Sequence, residues 1–568
     1  MTTAATLKKA LDSADTASRL GRSLLDRGWA LAERLRTPLP EARPYVEGET
    51  RLWRQLLLQS ALGLLGTVAI LWGASQPTSP FTLNEVTLGK RALPAGIQTW
   101  YFGTGAHGHE SIFVGVVAVY GGMLLLIGAW LRLIRMIRLH PGIPVRRFVP
   151  VFVVWVLPLL VVAPLFSHDS YSYVAQGEQI TRHINPYQYG PQVLGVGGNA
   201  WASLVDPIWT NVTSPYGPVF LMIAGGIVAV VHHDYLAALA GFRLLALAGT
   251  VLIAVFLPRL ARSYGLDGSK AFVLVVLNPL VLLHLVAGSH NDALMMGLLV
   301  AGLALARERH PVAGIVVCAL GALVKVPAVV GVVYIGWDWL GDEVPWRRRV
   351  RPVVTAGLIC LATMALVTEA SRLGWGWVTG LTNPDTVRSW MDPVTAVGLA
   401  AGKIISGIGF GDHTHVLVSL ARLLGFLCAG AIGARLLWRA RGRGSLRALG
   451  LTMLAVVLLG PVVQPWYLVW GIILLAPLAE GRTRAAIVVL SIVSSYLGLP
   501  GGRVLLHQLA VTNPFVVLGL LAALAVVAGV PLLPRFRQLL RERRQGLGPA
   551  ATDGPSLEKP AELTLPLG

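Results

Sequence analysis

The stretch PLFSHDSYSYVAQGE, Pro164–Glu178, decides how this chain is read. Residues 151–166, which run into it, are nearly all aliphatic, as the end of a membrane span would be. His168, Asp169, Tyr171, Tyr173, Gln176 and Glu178 then follow without a spacer. A charged side chain costs about 2.5–3.5 kcal/mol at the centre of a bilayer and far less at its boundary. The acid and the imidazole therefore belong at the mouth of a span, where a second, polar and aromatic helix begins.

The rest of the chain fits a membrane setting. Its 568 residues are 54% hydrophobic and 13% charged, with a mean hydropathy of +0.65. A soluble domain carries about 25% charged residues, and apolar runs of membrane-spanning length recur along most of this sequence. The fold class is an all-α polytopic membrane protein. The formal charge of +19 has no soluble basic domain to sit on, so nucleic acid is not the expected partner. Arginines at the ends of spans follow the positive-inside bias instead. Cys318, Cys360 and Cys428 fall inside expected spans, which implies neither a disulfide framework nor a zinc site but small apolar packing. Residues 7–35 read equally as a solvated cytoplasmic helix or an interfacial amphipathic one. Three parts result: a cytoplasmic helix and linker over 1–50, a transmembrane domain over 51–535, and a basic, then disordered, tail over 536–568.

Arginine counting gives the topology. Spans are expected near 52–73, 111–131 and 148–166, and the basic connection 132–147 places the N-terminus in the cytoplasm and Asp169 outside. Arg259, Arg262 and Lys270 are again cytoplasmic, so an odd number of crossings precedes them. Of the two apolar stretches in between, 241–258 is assigned as the span and the shorter 218–232 as a helix lying at the outer surface. The first external segment then covers 167–240. The same rule sets Arg307/Arg309, 347–351, 435–447, 482–484 and 535–544 inside. It sets 289–292, Lys325, 369–413, 464–467 and 501–512 outside, with 394–410 at the outer face. The total is roughly fourteen crossings with both termini cytoplasmic. Residues 311–323 and 328–340 alternatively form one re-entrant hairpin. The chain has no visible internal repeat, which counts against transporter folds built from related halves.

With sidedness assigned, the unusual polar groups collect on the external face. The first segment contributes His168, Asp169, Tyr171, Tyr173, Gln176, Asn185 and Tyr187, and a second turn contributes His290, Asn291 and Asp292. Lys325, Arg388, Gln464, Trp466 and Tyr467 come from three more. Each has a plainer reading. Asp169 would cap a helix starting at Ser170, and Asp292 a span that follows it, for about 1 kcal/mol each. Tyr171 and Tyr173 would sit in an interfacial aromatic belt. Lys325, ahead of Pro327 in the apolar run GALVKVPAVV, suits a helix break facing an anionic ligand better than lipid. Arg243 and Arg388 are weaker candidates for the same task. No HExxH, Cys/His spacing or DxD is present, so no cofactor is assigned and the sequence gives no support to a divalent metal.

SHDSYSYVAQGE, INPYQYGP (184–191) and SPYGPVF (214–220) resemble the polyprenol-phosphomannose-dependent α-1,6-mannosyltransferases of actinobacteria, which make the mannan backbone of lipomannan and lipoarabinomannan. HNDALMMGLL (290–299), the lysine of ALVKVPA and QPWYLVW (464–470) stand in the expected order, so the resemblance covers roughly 150–480. It implies a GT-C type fold with surface-lying helices in a long first catalytic loop, and it matches Asp169 to the family's acidic catalytic position. The wider superfamily often has two acids there; this chain has His168 before a single Asp. The implied partners are a polyprenyl-phospho-mannose donor, a lipid-anchored mannoside acceptor and membrane lipids, at the plasma membrane.

The chemistry suits these residues. A lipid-phosphate leaving group departs as an anion and needs no general acid. What remains is a base for the acceptor hydroxyl, assigned to Asp169, and a cation for the departing phosphate, assigned to Lys325 with Arg388. The other residues named are expected to contact substrate, the aromatic ones by stacking on sugars. A transferase for another polyprenyl-phosphate sugar, such as arabinofuranose, would need much the same groups. A lipid-linked sugar flippase or carrier is the rival from another class.

Overall fold

A computed structural model describes residues 50–76, 79, 81, 109–195, 200–341, 343–381 and 392–497, all within one compact unit. The N-terminal helix, Arg388, the 501–512 loop and the C-terminal tail lie outside the described residues. Among the described residues the secondary structure is helical, without strands.

Helices α1 (Thr50–Ala74), α2 (His109–Leu139) and α3 (Val149–Val161) pack together, with the Trp155 indole donating to the Ser60 carbonyl at 3.2 Å. Helix α4 (Asp169–Thr181) lies against α5 (Pro218–Val230), where Gly177 abuts the backbone of Ala224 so closely that a Cβ would stand 2.6 Å from its carbonyl oxygen. Helix α6 (Tyr235–Ser263) is capped by Asp234, which accepts from the Ala237 amide at 2.7 Å. The span expected at 241–258 thus starts earlier, and the segment before it ends near Asp234 instead of residue 240.

Helix α7 (Gly268–Val275) and the π-helical turn Val281–Ala287 form the centre of the protein. Every residue from Ala271 to Met296 is buried, the polar Asn278, His284 and His290–Asp292 included. The turn then bends by 111° into α8 (Asp292–Arg307). Helices α6 and α8 approach through Gly249 and Gly297; a Cβ on Gly297 would lie 2.6 Å from the Gly249 carbonyl. Helices α9 (Pro311–Ala322) and α10 (Val329–Asp338) flank a break at Lys325, where the backbone is extended. They are followed by α11 (Trp346–Ser371), α12 (Pro393–Gly407), α13 (Thr414–Arg439), α14 (Arg443–Leu458), α15 (Val469–Leu475) and α16 (Gly481–Tyr496).

Five described helices (α1, α2, α6, α11 and α13) are long and apolar enough to cross a membrane alone, and the bent pair ending in α8 would make a sixth. Others are short: the 13 residues of α3 extend about 20 Å against a hydrocarbon core of about 30 Å. Counting apolar runs therefore yields more crossings than there are helices of full spanning length among the described residues. Cys318 and Cys360 are buried as expected, whereas Cys428 is exposed on α13. Leu420, Leu424 and Leu427 on that helix are exposed as well, so Cys428 belongs to an apolar outer surface and not to the core.

The two ends of the helical body differ in chemistry. Basic connections meet at one end: Arg307 donates to the Ser263 carbonyl, Arg443 to the carbonyls of Tyr264 and Gly265, and Ser445 to Asp338. The polar motifs meet at the other.

Candidate active site

Three interruptions of helical structure build the site. The first, Val162–His168, separates α3 from α4; the second, Gly288–Asn291, separates the π turn from α8; the third surrounds Lys325. Arg243 of α6 clasps the first two. Its Nη1 donates to the carbonyls of Leu159 and Val162, its Nη2 to Ala287 at 2.9 Å and its Nε to Ser289 Oγ at 2.9 Å. The Leu165 amide also donates to Ala287, and Ser170 Oγ to the Gly288 carbonyl at 3.1 Å. Arg243 thus answers carbonyls that broken helices leave open and does not face a ligand as the sequence suggested. Phe166 (φ 63°) and Ser289 (φ 55°) adopt left-handed backbone just before Asp169 and His290. Non-glycine residues in that conformation store strain, which clusters at functional sites.

Asp169 is the first residue of α4, not its cap; His168 holds the N-cap position. The Asp169 carboxylate accepts from Tyr173 Oη at 3.4 Å and lies 3.7 Å from His290 Nε2, with 23% of its side chain exposed. Burial pushes the Tyr173 phenol well above its usual pKa, reinforced by Tyr216, Asp169 and Asp292, so it remains a neutral donor. His290 donates from Nδ1 to the His284 carbonyl at 2.6 Å, since a carbonyl can only accept. Its ring stacks on Trp466 with centroids 4.0 Å apart. That bond and that stack aim Nε2 at Asp169.

Asp292 is likewise no cap. Both its oxygens accept from Lys325 Nζ, at 3.0 and 2.9 Å, and Oδ1 also accepts from the Trp470 indole at 2.8 Å. The Asp292 side chain is fully buried and that of Lys325 is 15% exposed. Lys325 lies over the ring of Tyr467 at 4.3 Å. Trp470 was not singled out from the sequence, although its position four residues after Trp466 puts both indoles on one helical face. His290 approaches Asp169 and Asp292 grips Lys325, and both start from the second break, so the three interruptions share a single site.

Other expected contacts are elsewhere. Tyr171 is buried two residues from Asp169, on another face of α4, with its ring near His168. Burial also removes Tyr171 and Tyr173 from an interfacial belt. Gln176 accepts from Ser214 Oγ at 3.1 Å, Asn185 donates to the Leu373 carbonyl at 2.8 Å, and Tyr187 Oη donates to the Tyr216 carbonyl at 2.9 Å. These three pin the loop over α4 by their own bonds. His168 lies 3.8 Å from Asp206, and Gln464 caps the short turn that carries Trp466. Among the described residues no three His, Cys, Asp or Glu side chains gather as a metal-holding group.

Several buried polar atoms around Asp169 lack a hydrogen-bond partner among the described residues: His290 Nε2, both amide atoms of Asn291 and the Trp466 indole N–H. Most buried polar atoms in folded proteins are paired. A cluster of exceptions beside the only partly exposed carboxylate of this group marks a place for a polar ligand.

Comparison with known proteins agrees with the motif order. A family described as alpha-(1->6)-mannopyranosyltransferase, N-terminal domain, matches residues 60–341, and the MptB C-terminal domain matches 394–531. A probable alpha-(1->6)-mannopyranosyltransferase of Mycolicibacterium smegmatis is 33% identical over 79% of this chain and 81% of its own length. This chain belongs to the actinobacterial α-1,6-mannosyltransferase family. Alpha-(1->6)-mannopyranosyltransferase A of Mycobacterium tuberculosis is 36% identical over 59% of this chain and 66% of its own. Alpha-(1->6)-mannopyranosyltransferase B of Corynebacterium glutamicum is 30% identical over 78% and 77%. No solved structure matches the chain. The α-1,6-mannosyltransferase family match over 60–341 contains α4, both helix breaks and Lys325.

Proposed function

We propose that this chain transfers mannose from polyprenyl-phospho-mannose to a lipid-anchored mannan acceptor, forming α-1,6 linkages with inversion, on the external face of the plasma membrane in a GT-C type fold. The cluster of unpartnered buried polar atoms around Asp169 carries the reading. A sugar ring offers several hydroxyls, and such a site offers matching donors and acceptors.

In the proposed step the acceptor hydroxyl oxygen attacks C1 of the donor mannose. The C1–O bond to phosphate breaks, the lipid phosphate leaves with the electron pair, and the hydroxyl proton passes to Asp169. His290 Nε2 faces the carboxylate at 3.7 Å, too far for a direct hydrogen bond. In the proposed role it accepts that proton as Asp169 is restored. Tyr173 orients the carboxylate. Lys325 is anchored by Asp292, which takes up much of its charge but leaves the ammonium one further N–H for the departing phosphate. Asn291 and the Trp466 N–H are assigned to sugar hydroxyls.

The test offers purified protein in lipid either polyprenyl-phospho-mannose or polyprenyl-phospho-arabinofuranose, with a short α-1,6-mannoside acceptor. A new α-1,6 linkage from the mannose donor alone is expected. Turnover of the arabinose donor alone would refute the donor assignment. Transport of lipid-linked sugar without any new glycosidic bond would refute the transferase reading.

A further inference from the structure

A cavity lies at the basic end of the helical body. Its volume is about 390 Å³, within the range of small-molecule sites. Helix α8 runs from Asp292, beside Lys325, to Arg307 on the cavity wall; its 16 residues separate the two places by about 24 Å. The cavity is therefore distinct from the Asp169 site.

Leu260, Leu303, Leu446 and Leu449 form an apolar wall, and Arg307 and Arg309 stand at the edge. Arg307 stacks on Tyr264 at 4.4 Å and gives one long bond of 3.3 Å to the Ser263 carbonyl, which leaves most of its donors available. Arg309 makes no hydrogen bond or ion pair among the described residues. Glu308, between Arg307 and Arg309 in sequence, is exposed and is not part of the cavity lining, and the other charges nearby are spoken for. Arg349 donates to the carbonyls of Val344, Trp337 and Gly341, and Arg443 to those of Tyr264 and Gly265. Asp338, the one carboxylate on the wall, accepts from Ser445 Oγ at 2.9 Å and lies 4.0 Å from Arg349. Two guanidiniums are left facing a half-apolar hollow.

The backbone adds an independent observation. Arg309 has φ 71°, and the His310 amide bonds back to the Leu305 carbonyl at 2.9 Å, the closing bond of a helix C-terminal turn. Glycine fills that left-handed position with least strain. Here an arginine occupies it, at a cavity edge, two residues before Pro311.

We propose that this cavity binds a phosphate ester, its anionic group held by Arg307 and Arg309 and its apolar part against the leucine wall. Guanidinium pairs suit phosphate oxygens because their planar N–H groups match them two at a time. An anionic phospholipid at the membrane boundary and a soluble phosphate compound share this chemistry. The experiment separates them. Purified full-length protein in detergent is offered phosphatidylglycerol, phosphatidylcholine or inorganic phosphate. Retained lipid is read by native mass spectrometry, and the effect of phosphate by the melting temperature.

Wild type is expected to retain phosphatidylglycerol over phosphatidylcholine, and R307A/R309G to lose about tenfold or more of that preference, the loss of a charge-assisted bond. A melting shift with inorganic phosphate, absent in the double variant and without lipid preference, would support a soluble ligand instead. R309G alone keeps the favoured turn geometry and gives a variant whose fold is secure. Equal lipid preference and equal phosphate response in wild type, R309G and the double variant would overturn the proposal.

Discussion

Asp169 and Asp292 both open a helix at an interruption of the chain, yet the structure treats them in opposite ways. Asp292 is fully buried and firmly held, with both oxygens on Lys325 and one on Trp470. Asp169 is partly exposed, with one long bond from Tyr173 and an imidazole nitrogen held just beyond bonding distance. A buried carboxylate that accepts three strong hydrogen bonds is a poor base and a good strut. One that is oriented but under-engaged is the reverse. The same residue type at the same kind of helix start thus serves two ends, and the difference lies in what the other breaks bring to it.

Three substitutions would sharpen this contrast. The largest effect on the fold is expected from Arg243→Met, because neither break keeps its shape without the clasp. It leaves the buried carbonyls of Leu159 and Val162 open, at about 1–3 kcal/mol each, and takes one of two donors from Ala287. Poor accumulation in the membrane, or a melting temperature far below wild type, is the expected result, and wild-type melting would show that the clasp is dispensable. Asp292→Asn comes next. It strands Lys325 without its counter-ion, for which removal of one partner of a buried pair costs about 3–5 kcal/mol. Combining it with Lys325→Met should recover much of the lost melting temperature, since replacing a whole buried pair by apolar groups is often neutral. A double variant no better than the single one would deny that the two act as a pair. Tyr173→Phe should have the smallest effect, removing one long bond worth about 1 kcal/mol. Turnover would fall by less than about tenfold, and a total loss would move Tyr173 into a chemical role.

Reading the sequence reached the residues that carry charge at helix breaks, because the physics there is local. A carboxylate, an imidazole or a lysine inside an apolar run is expensive wherever it sits, so Asp169, His290, Asp292 and Lys325 could be found one by one. Their partners could not, since pairing depends on which breaks meet. Lys325 was expected to face an anionic ligand, and nothing in the sequence pointed to its grip on Asp292, 33 residues away. Arg243 was read as a ligand cation because nothing in the sequence tells which carbonyls lie open beside it. Gln176, Asn185 and Tyr187 carry the right groups for sugar contact but spend them on protein partners, Gln176 and Tyr187 within the loop and Asn185 on the distant Leu373 carbonyl. Hydropathy likewise identified helices well but not always their lengths: α3, expected to span over 148–166, is too short to cross alone, whereas α5 is as short as the sequence suggested.

The most direct test compares Asp169→Asn with wild type for turnover per folded molecule, using polyprenyl-phospho-mannose and an α-1,6-mannoside acceptor, with melting temperature measured on the same samples. Loss of a general base predicts a fall of about 10²- to 10⁴-fold in kcat with melting essentially unchanged. Wild-type turnover in Asp169→Asn, or a collapse of melting temperature like that expected for Asp292→Asn, would contradict the division of labour between the two carboxylates.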